Sequence, residues 1–239
     1  MTFVDDCIEF SGPVWDELIH HEWIEAILRG DLGDERFQYW YASDLSFLGE
    51  HILSRGIAKA PADHPLRKLV VDVITADRDE LELMRHLVDE FGTYILTPWS
   101  ARPTREAYTN FLLRVLYEGS FTQLCVASYP CFVFGEILGQ RFLDDPNPNV
   151  PESHAAWLRT LHEVLISLQA ALADEMNEMG PQVSARERET MMWSFLRGTQ
   201  HQIRTFDAAW ALSDPWPGEG VDPSFLSTPP EVLRARGKR

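Results

Sequence analysis

Apolar residues recur at steps of three and four along most of the chain. In the segment VWDELIHHEWIEAIL they fall at Trp15, Leu18, Ile19, Trp23 and Ile27. Residues with this spacing share one face of an α-helix. The segment therefore predicts an amphipathic helix that ends at GDLGD, where glycine and aspartate interrupt the pattern.

The same periodicity predicts two more helices in the first half of the chain. One begins at Asp34, whose side chain can cap the first turn, and runs to about Ala58. The next runs from about His64 to Phe91 and ends at Gly92. Both carry apolar residues on one face, as helices packed against a core do.

The second half begins with a long apolar stretch. Residues 104–143 are apolar on most faces, which is typical of helices buried on several sides. We expect Gly119 and Pro130 to divide this stretch, because glycine weakens a helix and proline removes a backbone donor. Two further long helices are predicted over residues 152–176 and 184–212.

These patterns predict one all-α domain, a helical bundle, over residues 1–212. Neither strand-like alternation nor an internal repeat is found in the sequence. Residues 213–239 are rich in proline and glycine, and we expect a tail that lies over the domain or is disordered.

The charge balance narrows the possible partners. The chain has 37 acidic and 21 basic residues, a net charge of -16. A surface of that sign repels phosphates, so we expect a small molecule or a protein as partner, and neither nucleic acid nor membrane. The sequence shows no basic leader and no uninterrupted apolar run of about 18 residues, so a cytoplasmic location is expected.

The cysteines and short motifs exclude several classes of site. Cys7, Cys125 and Cys131 are odd in number and lack C-x-x-C spacing, so reduced thiols are expected. Neither a phosphate-binding glycine loop nor a G-x-S-x-G motif occurs.

Helical bundles often hold metals between carboxylates and histidines, so a metal site is one alternative for this chain. Asp79, Glu82 and His86 share one helix face, but the Glu-x-x-His pair of a di-iron site does not occur twice. A solvated face is the better interpretation, and no metal ligand is predicted.

The segment ASYPCFVFGEILG places Pro130 beside Cys131 within the apolar stretch. A single cysteine in an apolar helix is usually a small buried hydrophobe. Proline, however, tends to kink a helix, and ligand sites in bundles lie between helices, where a thiol can meet a carboxylate of a neighbour. Asp44, in the aromatic segment YASDLSFL, is the candidate carboxylate. From spacing alone, an inert cysteine and a surface aspartate remain open.

Three longer segments carry a family resemblance. These are HEWIEAILRGDLGDERFQYWYASDLSFL, PTREAYTNFLLRVLYEGSFTQLCVASYPCFVFGEILG and the pair WLRTL and FDAAWAL. Together they resemble the TenA/thiaminase II family over roughly residues 10–212. The resemblance implies the haem-oxygenase-like all-helical fold, no metal or organic cofactor, and a homotetramer or homodimer.

The resemblance also implies a reaction. In that family a thiolate adds to an aminopyrimidine ring, the group on the methylene leaves, and water takes its place, which releases hydroxymethylpyrimidine. By this resemblance Asp44 matches the aspartate that binds the pyrimidine, Cys131 matches the nucleophile and Tyr108 matches a tyrosine of the pocket.

Four positions depart from the family pattern. Phe47, Gly135 and Leu161 stand where the family has tyrosines, and the catalytic glutamate aligns with Gln202. An amide does not exchange a proton as a carboxylic acid does, so proton transfer would be lost or would pass to another group. Glu136 and His201 are the candidates for that group. The lost hydroxyls and the small Gly135 predict a less polar, roomier pocket.

Three hypotheses follow from these residues. The first is a TenA-like hydrolase with Cys131 as nucleophile, which acts on aminopyrimidines, on thiamin fragments or on an altered substrate. The second is a member of the fold that binds another small molecule without this reaction. The third is a metal-dependent oxidase of the same architecture. Direct DNA contact is not expected of so acidic a chain.

Overall fold

The structure, a computed structural model, describes residues 1–48, 52–67 and 102–217. Regular structure within these ranges is helical throughout, so the predicted all-α class is confirmed. The α-helices, numbered in chain order, are α1 (Phe3–Ser11), α2 (Pro13–Ile19), α3 (Glu22–Arg29), α4 (Asp34–Leu48), α5 (Ile52–Gly56), α6 (Pro103–Glu118), α7 (Phe121–Asp144), α8 (Glu152–Met179) and α9 (Ala185–Ala211).

Two of the predicted regions lie mostly outside the described residues. The helix predicted from His64 to Phe91 is described only as far as residue 67. The predicted tail is described only as far as residue 217.

The first predicted helix is in fact two helices, α2 and α3. The break falls at His20 and His21, where the Nδ1 of His21 accepts the backbone N–H of Trp23 at 3.1 Å. A side chain that caps the next helix in this way competes with continuation of the previous one. The apolar period alone does not reveal such a cap.

The helix predicted to run from Asp34 to Ala58 begins where expected but is not described as one continuous element. α4 covers Asp34–Leu48, and α5 follows with a short 3₁₀ turn at Ile57–Lys59.

Gly119 separates α6 from α7 as predicted, whereas the prediction that Pro130 divides the stretch is wrong. α7 is 24 residues long and continues through Pro130 without a break. Proline deprives the carbonyl of Val126 of its helical donor, at a cost of about 3 kcal/mol in an isolated helix. Dense packing on several sides of α7 offsets that cost, because most of its residues are buried.

α9 approaches α7 closely at this point. A Cβ atom placed on Gly198 would lie 2.4 Å from the carbonyl oxygen of Ala127, a distance that real side chains do not reach. Gly198 therefore allows the two helix backbones to touch beside Pro130, within one turn of Cys131.

An aromatic cluster packs α4 against the bundle. Trp23 of α3 and Trp40 of α4 both stack on Phe206 of α9, with ring centroids 5.0 and 5.8 Å apart. Trp157 of α8 meets the two indoles edge-on at 6.1 and 5.5 Å. Asp44 follows Trp40 by one helical turn and so lies on the same side of α4.

The buried carboxylate of Glu175 holds residues 64–67 against the bundle through hydrogen bonds. Glu175 of α8 accepts hydrogen bonds from the hydroxyl of Thr122 at 2.6 Å and from Nε2 of His64 at 2.9 Å. The other nitrogen of His64 accepts the N–H of Leu66 at 3.2 Å, which sets the tautomer that donates to Glu175.

Among the described residues, α7 is the one helix long and apolar enough to cross a membrane. Within the protein, 78% of its apolar window is buried. A core helix meets the same test of length and composition, and this burial favours that interpretation.

Candidate active site

An ion pair joins α4 to α6 inside the bundle. Oδ1 of Asp44 lies 2.8 Å from Nη1 of Arg105, and the two side chains are 16% and 2% exposed. Burial raises the pKa of Asp44, and the positive charge of Arg105 opposes that rise. The sequence predicted Asp44 but not Arg105. Its position three residues before Tyr108 on one helix was the signal, because residues so spaced share a face.

The second contact joins α6 to α7. Tyr108 is fully buried, and Cys131 packs against the apolar cluster that contains it, close enough to affect the pKa of its hydroxyl. The pKa of Tyr108 lies well above its ordinary value, mainly because of burial, with Cys131 and Asp44 adding to the rise and Arg105 opposing it. Asp44 and Cys131 therefore both raise the pKa of the Tyr108 hydroxyl. The structure brings these three predicted residues together.

Cys131 differs from the other two cysteines in exposure. Cys7 and Cys125 are fully buried, while Cys131 is only partly buried. Burial raises the pKa of Cys7 to about 12, and it also raises that of Cys125. A thiol so held is protonated and unreactive at neutral pH. Cys131 is the thiol with access to a ligand.

His201 of α9 lies behind Tyr108. The imidazole stacks on Tyr108 at 5.4 Å, nearly parallel at 8°, and on Phe111 at 5.2 Å. Its pKa is lowered to about 4, chiefly by burial and also by the charges of Arg197 and Arg204. The ring is therefore neutral at pH 7 and supports the face of Tyr108.

Gln202 is fully buried on the same helix. Its Nε2 donates to the hydroxyl of Thr205 at 3.3 Å, while its Oε1 is buried and has no hydrogen-bond partner among the described residues. An unmatched buried carbonyl costs about 1–3 kcal/mol. A ligand that donates a hydrogen bond would recover part of that cost.

Comparison with known proteins matches the chain to one family. The family model described as TENA/THI-4/PQQC matches residues 11–204. The chain belongs to that family. The resemblance found in the sequence is thereby confirmed at the level of the family.

Individual relatives of this TENA/THI-4/PQQC member are distant but matched over most of their length. The aminopyrimidine aminohydrolase of Staphylococcus carnosus is 23% identical over 222 residues, covering 90% of this chain and 97% of the relative. That of Bacillus subtilis is 22% identical over 204 residues, covering 81% and 85%.

Solved structures of the family share the fold. A TenA homologue from Pyrococcus horikoshii OT3 superposes with a TM-score of 0.67 at 18% identity, covering 88% of this chain and 99% of that one. A protein from Silicibacter sp. TM1040, described as a TenA family transcription regulator, gives 0.72 at 19% identity, covering 87% and 96%.

Two other predicted residues of α7, Gly135 and Glu136, face α8, whereas Cys131 contacts α6. Gly135 faces α8, where a Cβ would lie 2.6 Å from Leu165 and 3.6 Å from Leu161. Leucine side chains therefore fill the space expected beside Gly135. The side chain of Phe47 lies outside the described part of the chain.

Glu136 also points to α8 rather than to the thiol. Its Oε1 is 4.0 Å from Nδ1 of His162, and its charge acts on Tyr129, which accepts a hydrogen bond from Gln169 of α8. Cys131 instead contacts α6. The contacts of Glu136 thus give no support to a role in proton transfer at Cys131.

Within the described ranges, no group of three or more histidine, cysteine, aspartate and glutamate side chains is placed to hold a metal ion. Asp79, Glu82 and His86, which the sequence brought into consideration, lie outside those ranges.

Proposed function

We propose that the protein is a thiol-dependent hydrolase of aminopyrimidines, with Asp44 as anchor of the ring and Cys131 as nucleophile. The observation that carries the proposal is the convergence of Asp44, Tyr108 and Cys131 from three helices. The names of the relatives, aminopyrimidine aminohydrolases from several bacteria, support the same substrate class.

In the proposed reaction the ionised Asp44 accepts a hydrogen bond from the ring amino group. The Cys131 thiolate adds to an electron-poor ring carbon, and the electrons expel the amine from the exocyclic methylene. Water then adds to the methylene and the thiolate leaves, so aminomethylpyrimidine and water give hydroxymethylpyrimidine and ammonia. The Tyr108 hydroxyl, which lies beside Cys131, is the group that would donate a hydrogen bond to the thiolate and stabilise its negative charge.

The first experiment measures release of hydroxymethylpyrimidine from aminomethylpyrimidine and from thiamin by liquid chromatography and mass spectrometry. Cys131→Ser should abolish release, whereas Cys7→Ala, which removes a buried thiol distant from the site, should retain it. Equal release from wild type and Cys131→Ser would refute the nucleophile.

A second experiment tests the buried amide. If Gln202 occupies the position of a catalytic acid, Gln202→Glu supplies a titratable group and should raise kcat by about 10²-fold or more, within the range of general acid catalysis. Gln200→Glu is the matched control, because it makes the same change two residues away on α9. An increase in both variants, or in neither, would contradict the assignment of Gln202.

A second candidate function is binding without turnover. The amide of Gln202, which cannot transfer a proton, favours it. Calorimetry with aminomethylpyrimidine separates the two functions: binding to wild type and to Cys131→Ser without product would support a binding protein.

We propose also that the chain self-associates and acts in the cytoplasm. Phe10 and Trp193 form an edge-on aromatic pair at 5.2 Å and are 38% and 52% exposed, a costly arrangement for a monomer. Light scattering coupled to gel filtration should give a dimer or larger, and a monomer would contradict this. The three free cysteines fit a reducing compartment. Cell fractionation should recover the protein in the cytosol.

A further inference from the structure

We propose that Arg105 is a positioning residue, which holds Asp44 ionised and oriented so that its carboxylate can accept the amino group of the substrate. The inference rests on the proposed function for its substrate, although its first test does not require turnover.

The surroundings of Arg105 show why it needs a counter-charge. It lies in the first turn of α6, where the helix dipole disfavours a cation, and its side chain is 2% exposed. The guanidinium lies 2.8 Å from Asp44 and over the indole of Trp40, 5.9 Å from the ring centroid. A buried cation at a helix N-terminus is held in place by these partners.

Asp44 needs the pairing equally. Burial favours the protonated carboxyl, which would present a donor where the amino group of a pyrimidine requires an acceptor. Within the described ranges, Arg105 is the positive charge that acts on Asp44. Tyr108 and Cys131 from the neighbouring helices carry none, and the neutral His201 lies behind Tyr108. Arg105 is therefore the group that keeps Asp44 an acceptor at neutral pH.

The arrangement also explains how one carboxylate can serve two partners. Nη1 of Arg105 contacts Oδ1 of Asp44, so Oδ2 is the oxygen outside that contact. The arginine fixes the rotation of the carboxylate, so that the second oxygen has a defined direction. A lysine would keep the charge but not the planar, two-pronged geometry.

The first experiment follows Asp44 directly. In protein labelled with ¹³C-aspartate, the Asp44 carboxyl resonance is assigned by its loss in Asp44→Asn and titrated in wild type, Arg105→Met, Arg105→Lys and Arg114→Met. Removing Arg105 removes the cause that lowers the pKa of Asp44, so the midpoint should move to higher pH in Arg105→Met. It should stay near wild type in Arg105→Lys. Arg114→Met, which removes an exposed arginine of the same helix, should not move it.

The second experiment uses steady-state kinetics with aminomethylpyrimidine. In Arg105→Met, KM should rise about tenfold or more, the loss expected for one charge-assisted hydrogen bond, while kcat at saturation falls much less. The acid limb of kcat/KM should move to higher pH, in parallel with the Asp44 resonance. In Arg105→Lys the acid limb should lie near its wild-type position, while KM should lie between the values of wild type and Arg105→Met.

Circular dichroism first establishes that each variant is folded. If Arg105→Met does not fold, the double variant Asp44→Asn/Arg105→Met removes both charges of the pair, and Arg105→Lys carries the kinetic test. An unchanged Asp44 titration in folded Arg105→Met, or an unchanged KM in the folded Arg105 variants, would overturn the proposal. If wild type neither binds nor hydrolyses the pyrimidine while the Asp44 midpoint still moves in Arg105→Met, only the proposed function falls.

Discussion

Replacing His201 by phenylalanine should flatten the dependence of stability on acid pH. The ring stacks between α9 and α6 on Tyr108 and Phe111, and its pKa is lowered to about 4 from 6.5. The unfolded chain therefore binds a proton at this residue between pH 6.5 and 4 that the folded protein excludes. Because the unfolded state binds more protons there, the free energy of unfolding falls as the pH falls through this window.

The size of the effect follows from the pKa. Lowering the pKa of His201 from 6.5 to about 4 corresponds to a loss of about 3 kcal/mol in the free energy of unfolding once the pH is below both values. His201 is only partly buried, and water reaching the ring reduces the penalty, so we expect about 2 kcal/mol. Phenylalanine keeps an aromatic ring for the stack and does not titrate.

The assay is urea unfolding followed by circular dichroism at pH 8, 6.5, 5 and 4. Between pH 6.5 and 4, the free energy of unfolding should fall by about 2 kcal/mol more in wild type than in His201→Phe. This result does not depend on any difference in stability between the two proteins at pH 8. Parallel curves for wild type and His201→Phe would refute the reasoning, because they would show that His201 protonates as easily in the folded protein as in the unfolded chain.

Two further predictions concern α7. Gly198→Ala should lower the free energy of unfolding by about 1–3 kcal/mol in urea titrations, because the new Cβ meets the Ala127 carbonyl and forces α7 and α9 apart. A loss below about 0.5 kcal/mol would mean that the helices can separate without cost. Iodoacetamide should alkylate Cys131 in the native protein and spare the buried Cys7 and Cys125, as peptide mass mapping will show. Equal labelling of the three would contradict the exposure described.

Much of the fold could be predicted because apolar periodicity reports which side of a helix is buried. α8 and α9 match their predicted ranges within a few residues, and Gly119 separates two helices as expected. The errors arise where a tertiary contact decides the outcome. Pro130 stays inside α7 because neighbouring helices pack around it, and α2 ends because the side chain of His21 caps α3.

The candidate site was predicted in part for a similar reason. Asp44, Tyr108 and Cys131 could be found from the family resemblance, since each stands in a recognisable segment. Arg105 was not predicted, although it shares a helix face with Tyr108, because a basic residue near a helix start usually reaches solvent and the packing of α6 against α4 turns this one inward. The direction in which Gly135 faces likewise depends on the position of Leu165 on α8.

The position of Cys131 on α7 bears on which helix moves when the site opens to a substrate. α7 is 24 residues and about 36 Å long, and its backbone amides are bonded within the most buried helix of the described core. Amide protons in such a helix exchange with deuterium only when the protein opens globally. Opening that admits a substrate is therefore not expected to begin at α7. We therefore expect Cys131 to keep its position while the site opens. Faster amide exchange at α4 or α6 than at α7 would identify the helix that moves.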